Sequence, residues 1–90
     1  LARLRALAEL DTTAVLYESP HRILATLDAI AEVFGEREIV VGRELTKRFE
    51  EVVAAPARRH RERLAAAGVR GEFVVAIPPA PREPVYSRSL

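Results

Sequence analysis

Thr13-Ala14-Val15-Leu16-Tyr17-Glu18-Ser19-Pro20-His21-Arg22 is the stretch that decides how this chain folds. An apolar run, Thr13 to Tyr17, predicts a strand. Directly after the turn, Ile23, Leu24, Leu27, Ile30, Ala31 and Phe34 recur at the spacing of one helix face. Ser19 is placed to cap that helix, and Pro20 falls in its first turn, where a missing N–H costs nothing. Tyr17, Glu18, Ser19, His21 and Arg22 thus crowd one strand-to-helix turn. In α/β sheets the crevice beyond the carboxyl ends of strands is where ligands bind. The alternative reading is a well-capped turn with a solvated surface.

Working outward, Leu1, Leu4, Leu7, Ala8 and Leu10 form an apolar stripe on a leading helix that Asp11-Thr12 ends. Gly35 stands where the second helix needs an αL residue at its C-terminus. Glu38 to Gly42 predicts a second strand ending in Arg43-Glu44-Leu45-Thr46-Lys47, and Phe49 to Val53 a third after a tight reversal. Pro56 opens a helix that runs to about Ala67 and is closed by Gly68, and Glu72 to Ile77 is the last strand. The expected fold is therefore α/β: a leading helix, then β-α-β-β-α-β on a mixed sheet, over residues 1–77. A Pro-rich tail follows from Pro78 to Leu90 and is expected to be extended or disordered. This order suits a ferredoxin-like binding module or part of a larger α/β enzyme.

Ninety residues with 49% hydrophobic and 30% charged side chains suffice for one core. A net charge of +1 gives no global attraction to nucleic acid or membrane. With no cysteine there are no disulfides, thiolate chemistry or zinc ribbon. No apolar stretch is as long as a membrane span and no signal-peptide pattern opens the chain, which is compatible with a cytoplasmic protein. Because the chain starts at Leu1 inside a helical pattern, it is expected to be cut from something longer.

Two polar turns, each following an apolar strand, are the candidate site: Tyr17 to Arg22, and Arg43 to Lys47. The plainer reading of the second is a surface hairpin with weak ion pairs. His21 and His60 lack metal-ligand spacing, so no metal site is expected. Nor is there a P-loop, a nucleophile elbow or a GxGxxG motif. Arg58, Arg59, Arg61 and Arg63 around His60 read as a solvated helix face, with a phosphate-contacting edge as the lesser alternative. An RNA-recognition sheet needs rings on its central strands, and only Tyr17, Phe49 and Phe73 are near them.

YESPHR, RELTK and GEF, in this order and over Thr13 to Ile77, resemble the rRNA-modifying branch of the tetrapyrrole-methylase-like, class III S-adenosylmethionine methyltransferases. The resemblance covers the second, C-terminal domain of that fold; the glycine-rich motifs of the first domain have no counterpart here. One departure is Ala54-Ala55-Pro56, where the family commonly has a Gly-Thr turn. The resemblance implies methyl transfer from S-adenosylmethionine to the ribose 2′-oxygen of a cytidine in 16S rRNA of the small ribosomal subunit. It further implies a cytoplasmic homodimer with the cofactor between two domains, this one and the missing N-terminal one. On that basis Leu16, Tyr17, Glu18, Glu72 and Phe73 are expected at the cofactor. His21, Arg22, Arg43 and Thr46 are expected towards RNA, and Glu44 or Lys47 is expected to assist the ribose hydroxyl. The chain alone is expected to fold without catalysing. Its alternatives are a tetrapyrrole C-methyltransferase domain and a stand-alone βαββαβ binding module.

Overall fold

The computed structural model describes residues 4–6, 12–45 and 48–79, with the side chains of 48–50 left aside. Residues 4–6 are helical, and Leu4 packs against the core. The elements that follow are β1 (Ala14–Glu18), α1 (Ile23–Phe34), β2 (Glu38–Leu45), β3 (Arg48–Pro56), α2 (Ala57–Ala67) and β4 (Glu72–Ile77). The tail beyond Pro79 lies outside the described residues, as do Leu1, Leu7, Ala8, Leu10, Thr46 and Lys47.

The element order matches the expected one, but the sheet does not. It runs β1-β4-β2-β3 with every neighbouring pair antiparallel, in place of the mixed sheet expected. The cause is the last strand. The crossover through α1 lays β1 and β2 in the same direction, and β4 inserts between them, antiparallel to both. No two strands that run the same way are left side by side.

Both helices lie on one face of the sheet. Ile23, Leu27, Ile30 and Phe34 of α1 meet Ile39 and Val41 of β2, Phe73, Val75 and Ile77 of β4, and Ala57 and Leu64 of α2. All eleven are buried, and alternation in the strands and the 3.6-residue period in the helices put them on one side. Among the described residues nothing covers the opposite face. Its rows are Val15–Ala76–Val40–Ala54 and Tyr17–Val74–Gly42–Val52, read across β1, β4, β2 and β3. Val15, Tyr17 and Val52 are exposed there. β1 is therefore an edge strand with one open face, although its sequence is apolar on both. The central strands β4 and β2 present Val74, Ala76, Val40 and Gly42 on that face, while the Phe73 ring is buried in the core. The base-stacking rings of an RNA-recognition sheet are missing from these two strands.

Among the described residues the core holds one polar side chain. His60 is 0% exposed and sits in the middle of the basic run, where a solvated face was expected. Its Nε2–H donates to the Ile39 carbonyl at 3.0 Å, and Arg63 Nη2 donates to its Nδ1 at 3.0 Å. An Nδ1 that accepts carries no proton, so this ring is neutral. Burial pushes its pKa below the ordinary 6.5, and the Arg63 charge acts in the same direction. The unfolded chain then binds the proton more readily than the fold does. Stability should be complete above about pH 6.5 and fall below it, by up to about 1.4 kcal/mol per pH unit. Urea midpoints at pH 7.5 and 5.5 should show this loss in the wild type, and a smaller one in His60→Gln.

Candidate functional site

The strand-to-helix turn is built differently from the expected cap. Ser19 closes it with its backbone: its carbonyl accepts from the amides of Arg22 and Ile23, each at 3.1 Å. Helix α1 then begins at Ile23, with Arg22 at the cap position and no side-chain cap bond. Pro20 lies in the turn before the helix. A carboxylate ties the helix down instead. The Thr26 hydroxyl donates to Glu18 Oε2, and Arg22 Nε stands 3.8 Å from Glu18 Oε1. Gly35 has a positive φ of 61° but a ψ of −127°, so it departs from the left-handed helical conformation expected there, and its N–H donates to the Ala31 carbonyl.

Because successive strand residues face opposite ways, the nominated side chains separate. Tyr17 points to the open face, whereas Leu16 and Glu18 point to the helices. Tyr17 pairs in register with Val74, and Glu44 of β2 lies opposite Glu72 of β4 one row further on. There Tyr17, Glu44, Glu72, Phe73 and Val74 line a cavity of about 310 Å³. Tyr17 is 78% exposed, Glu72 is exposed, Glu44 is half-buried and Phe73 is a buried core residue. A second cavity, of about 410 Å³, is bordered by Leu16, Glu18, His21, Arg22 and Thr26 together with Leu4. The two groups are on opposite sides of β1.

Arg43 joins neither group. It faces the helices, and its Nη2 is 3.6 Å from Glu51 Oε2 on β3. Thr46 and Lys47 lie outside the described residues. The basic run of α2 is largely neutralised. Arg58 pairs with Glu36 at 2.9 Å and with Glu62 at 3.7 Å, Arg61 pairs with Asp28 at 3.1 Å, and Arg63 pairs with Glu51. The Arg58 guanidinium holds the Glu36 carboxyl below its usual range. Among the described residues of the run, only Arg59 has neither an ion pair nor a buried position. A solvated, salt-bridged face fits this better than a phosphate-binding edge.

The chemistry of the first cavity is that of an acceptor site. Two carboxylates and a phenol can accept from hydroxyl or amine groups and favour a cationic centre, and the exposed Tyr17 ring offers an aromatic face. Sequence reasoning passed over two features that shape it. Gly71, at φ 91°, brings its backbone so close to β2 that a Cβ there would strike the Glu44 carbonyl oxygen. Glu51, one of two adjacent glutamates, is the carboxylate shared by Arg43 and Arg63. Gly71 was visible as the first residue of GEF; nothing in the sequence distinguished Glu51 from Glu50.

No family model matches the chain. Individual relatives do. Over 74 residues, 82% of this chain, it is 40% identical to a protein of Bacillus subtilis (strain 168) named Ribosomal RNA small subunit methyltransferase I. Proteins of the same name from Mesorhizobium japonicum and Pseudomonas aeruginosa are 43% and 39% identical over 89% and 84% of the chain. By sequence this is a segment of the ribosomal RNA small subunit methyltransferase I family. The matches cover 25%, 28% and 28% of these three relatives, so the chain spans roughly a quarter of their length. The aligned span takes in most of the elements described above, including strands that border the first cavity. Among the described residues no helix is long and apolar enough to cross a membrane.

Proposed function

We propose that this chain is the C-terminal, cofactor- and RNA-facing part of an S-adenosylmethionine-dependent methyltransferase of small-subunit rRNA. The acceptor we assign is the ribose 2′-oxygen of a cytidine in 16S rRNA. The observation that carries this reading is the coincidence of about 40% identity to rRNA methyltransferases with the gathering of Tyr17, Glu44 and Glu72 around one cavity. The acceptor set suits the cofactor, whose sulfonium is cationic and whose ribose hydroxyls need acceptors. When bound, S-adenosylmethionine supplies an electrophilic methyl group.

The residues of this chain then orient and activate. Tyr17 and Glu72 hold the nucleoside part of the cofactor at the mouth of the cavity. A ribose hydroxyl is a weak nucleophile, and transfer needs it in line with the methyl carbon. Glu44 accepts its proton or its hydrogen bond as the base, or Lys47 favours the alkoxide as a nearby cation. The apolar open face of the sheet packs against the remainder of the enzyme, with a cytoplasmic homodimer as the working assembly.

The test uses the full-length protein with labelled S-adenosylmethionine and small subunits from a strain lacking the modification. Transfer to RNA, reduced about a hundredfold in Glu44→Gln, is the expected result. Label on a tetrapyrrole and none on RNA would establish the C-methyltransferase alternative. No S-adenosylmethionine binding at all would leave a binding module.

A further inference from the structure

Glu51 sits at the register shift of the sheet. Partners run unbroken from Glu38↔Pro56 to Arg43↔Glu51, and the next pair is Glu44↔Phe49. Glu50 is therefore the extra residue of a bulge. A bulge re-aims side chains, and a register change of one residue would swing a strand's side chains to the other face. Glu44 keeps its register with β4, where Glu44↔Glu72 follows Arg43↔Phe73 without a break, so what this bulge sets is how that end of β2 is held from the β3 side.

The covered side of the bulge carries a continuous polar tie. Arg43 Nη2 and Arg63 Nη1 approach the two oxygens of Glu51 separately, Oε2 and Oε1. Arg63 also donates to His60 Nδ1, and His60 donates to the Ile39 carbonyl of β2. The tie links β3 at the bulge to α2 and returns to β2. Its members are shielded: the Arg43 side chain is 19% exposed, those of Arg63 and Glu51 are each 30% exposed, and His60 is fully buried. On the β4 side, the Gly71 backbone presses against the Glu44 carbonyl.

We infer that Glu51 is a positioning residue, whose contacts with Arg43 and Arg63 hold the β2–β3 bulge in register and so steady the end of β2 that carries Glu44. The inference rests on reading that cavity as the cofactor- and RNA-facing site. It touches neither substrate nor cofactor. A carboxylate is needed because one oxygen accepts from Arg63 while the other, 3.6 Å from Arg43 Nη2, meets the second charge. A glutamine keeps one acceptor oxygen and turns an NH2 group towards the other arginine.

The experiment compares full-length wild type with Glu51→Gln and Glu51→Asp. It reads hydrogen exchange of peptides across 44–52, cofactor affinity, kcat, KM and thermal midpoint. In Glu51→Gln, exchange across 44–52 should rise about tenfold while helix α1 keeps its protection. The same variant should lose kcat by about tenfold or more at near-constant cofactor affinity, since small displacements of a reacting group are costly. Glu51→Asp, which keeps the charge, should recover part of both. Unchanged exchange and kcat in Glu51→Gln would overturn the inference. So would faster exchange spread evenly over the whole domain, the mark of a merely structural residue. Faster exchange confined to 44–52, in a protein whose wild type transfers no methyl group, would support the positioning device and overturn only the functional reading.

Discussion

Gly71→Ala should destabilise the protein by about 3 kcal/mol or more, while Gly35→Ala should cost about 1–2 kcal/mol. Both glycines have positive φ, 91° and 61° respectively. A β-carbon is strained in either conformation, by an amount on the order of 1–3 kcal/mol. What separates them is space. At Gly35 a new Cβ meets nothing within 4 Å, whereas at Gly71 it strikes the Glu44 carbonyl oxygen and comes within 2.6 Å of Leu45 Cδ2. The Leu45 side chain can turn aside, but the Glu44 carbonyl belongs to a strand hydrogen-bonded on both sides. Relief would require β2 and β4 to part at the lip of the cavity. Urea midpoints of the two variants check the difference directly. Equal losses would mean that backbone conformation alone matters at Gly71.

Tyr17→Ala and Glu18→Ala, one residue apart, should fail in opposite ways. The Tyr17 side chain stands on the open face with 78% of the residue exposed, so its loss should change stability by no more than about 0.5 kcal/mol. It lines the cavity with Glu44 and Glu72, and full-length Tyr17→Ala should bind S-adenosylmethionine about tenfold more weakly, or about 1.4 kcal/mol. Glu18 faces α1, where it receives the Thr26 hydroxyl in partly buried surroundings. Glu18→Ala should therefore cost about 1–2 kcal/mol of stability and leave cofactor affinity alone. Its contact with exposed Arg22 adds little. Calorimetry and urea unfolding separate the two effects, and parallel losses in both variants would refute the two-face arrangement.

That pair also illustrates what was legible in the sequence. The run from Thr13 to Tyr17 followed by the stripe from Ile23 to Phe34 announces strand, turn and helix, and the structure keeps all three. The motif Tyr17 to Arg22 looks like one cluster when written out, yet a strand's two-residue period sends Tyr17 away from Glu18. Sheet order was beyond reach for another reason. Hydrophobic periodicity identifies strands but not which of them lies between β1 and β2, and that position of β4 is what makes the sheet antiparallel. β2 continues to Leu45 because its pairing with β3 runs on past Arg43↔Glu51 to Leu45↔Arg48, cross-strand partners that composition does not reveal. His60 was hidden by its neighbours. Four arginines made its surroundings read as solvent, while the i, i+3, i+7 spacing of Ala57, His60 and Leu64 carries it into the core.

The cavity between Tyr17, Glu44 and Glu72 is proposed to serve methyl transfer to a ribose of small-subunit rRNA. The most direct test of that proposal is mass spectrometry of nucleosides from 16S rRNA treated with the full-length protein, wild type beside Glu44→Gln. The expected result is 2′-O-methylcytidine at one position with wild type and its near-absence with Glu44→Gln. A methyl group on a base, or equal ribose methylation by both proteins, would contradict it.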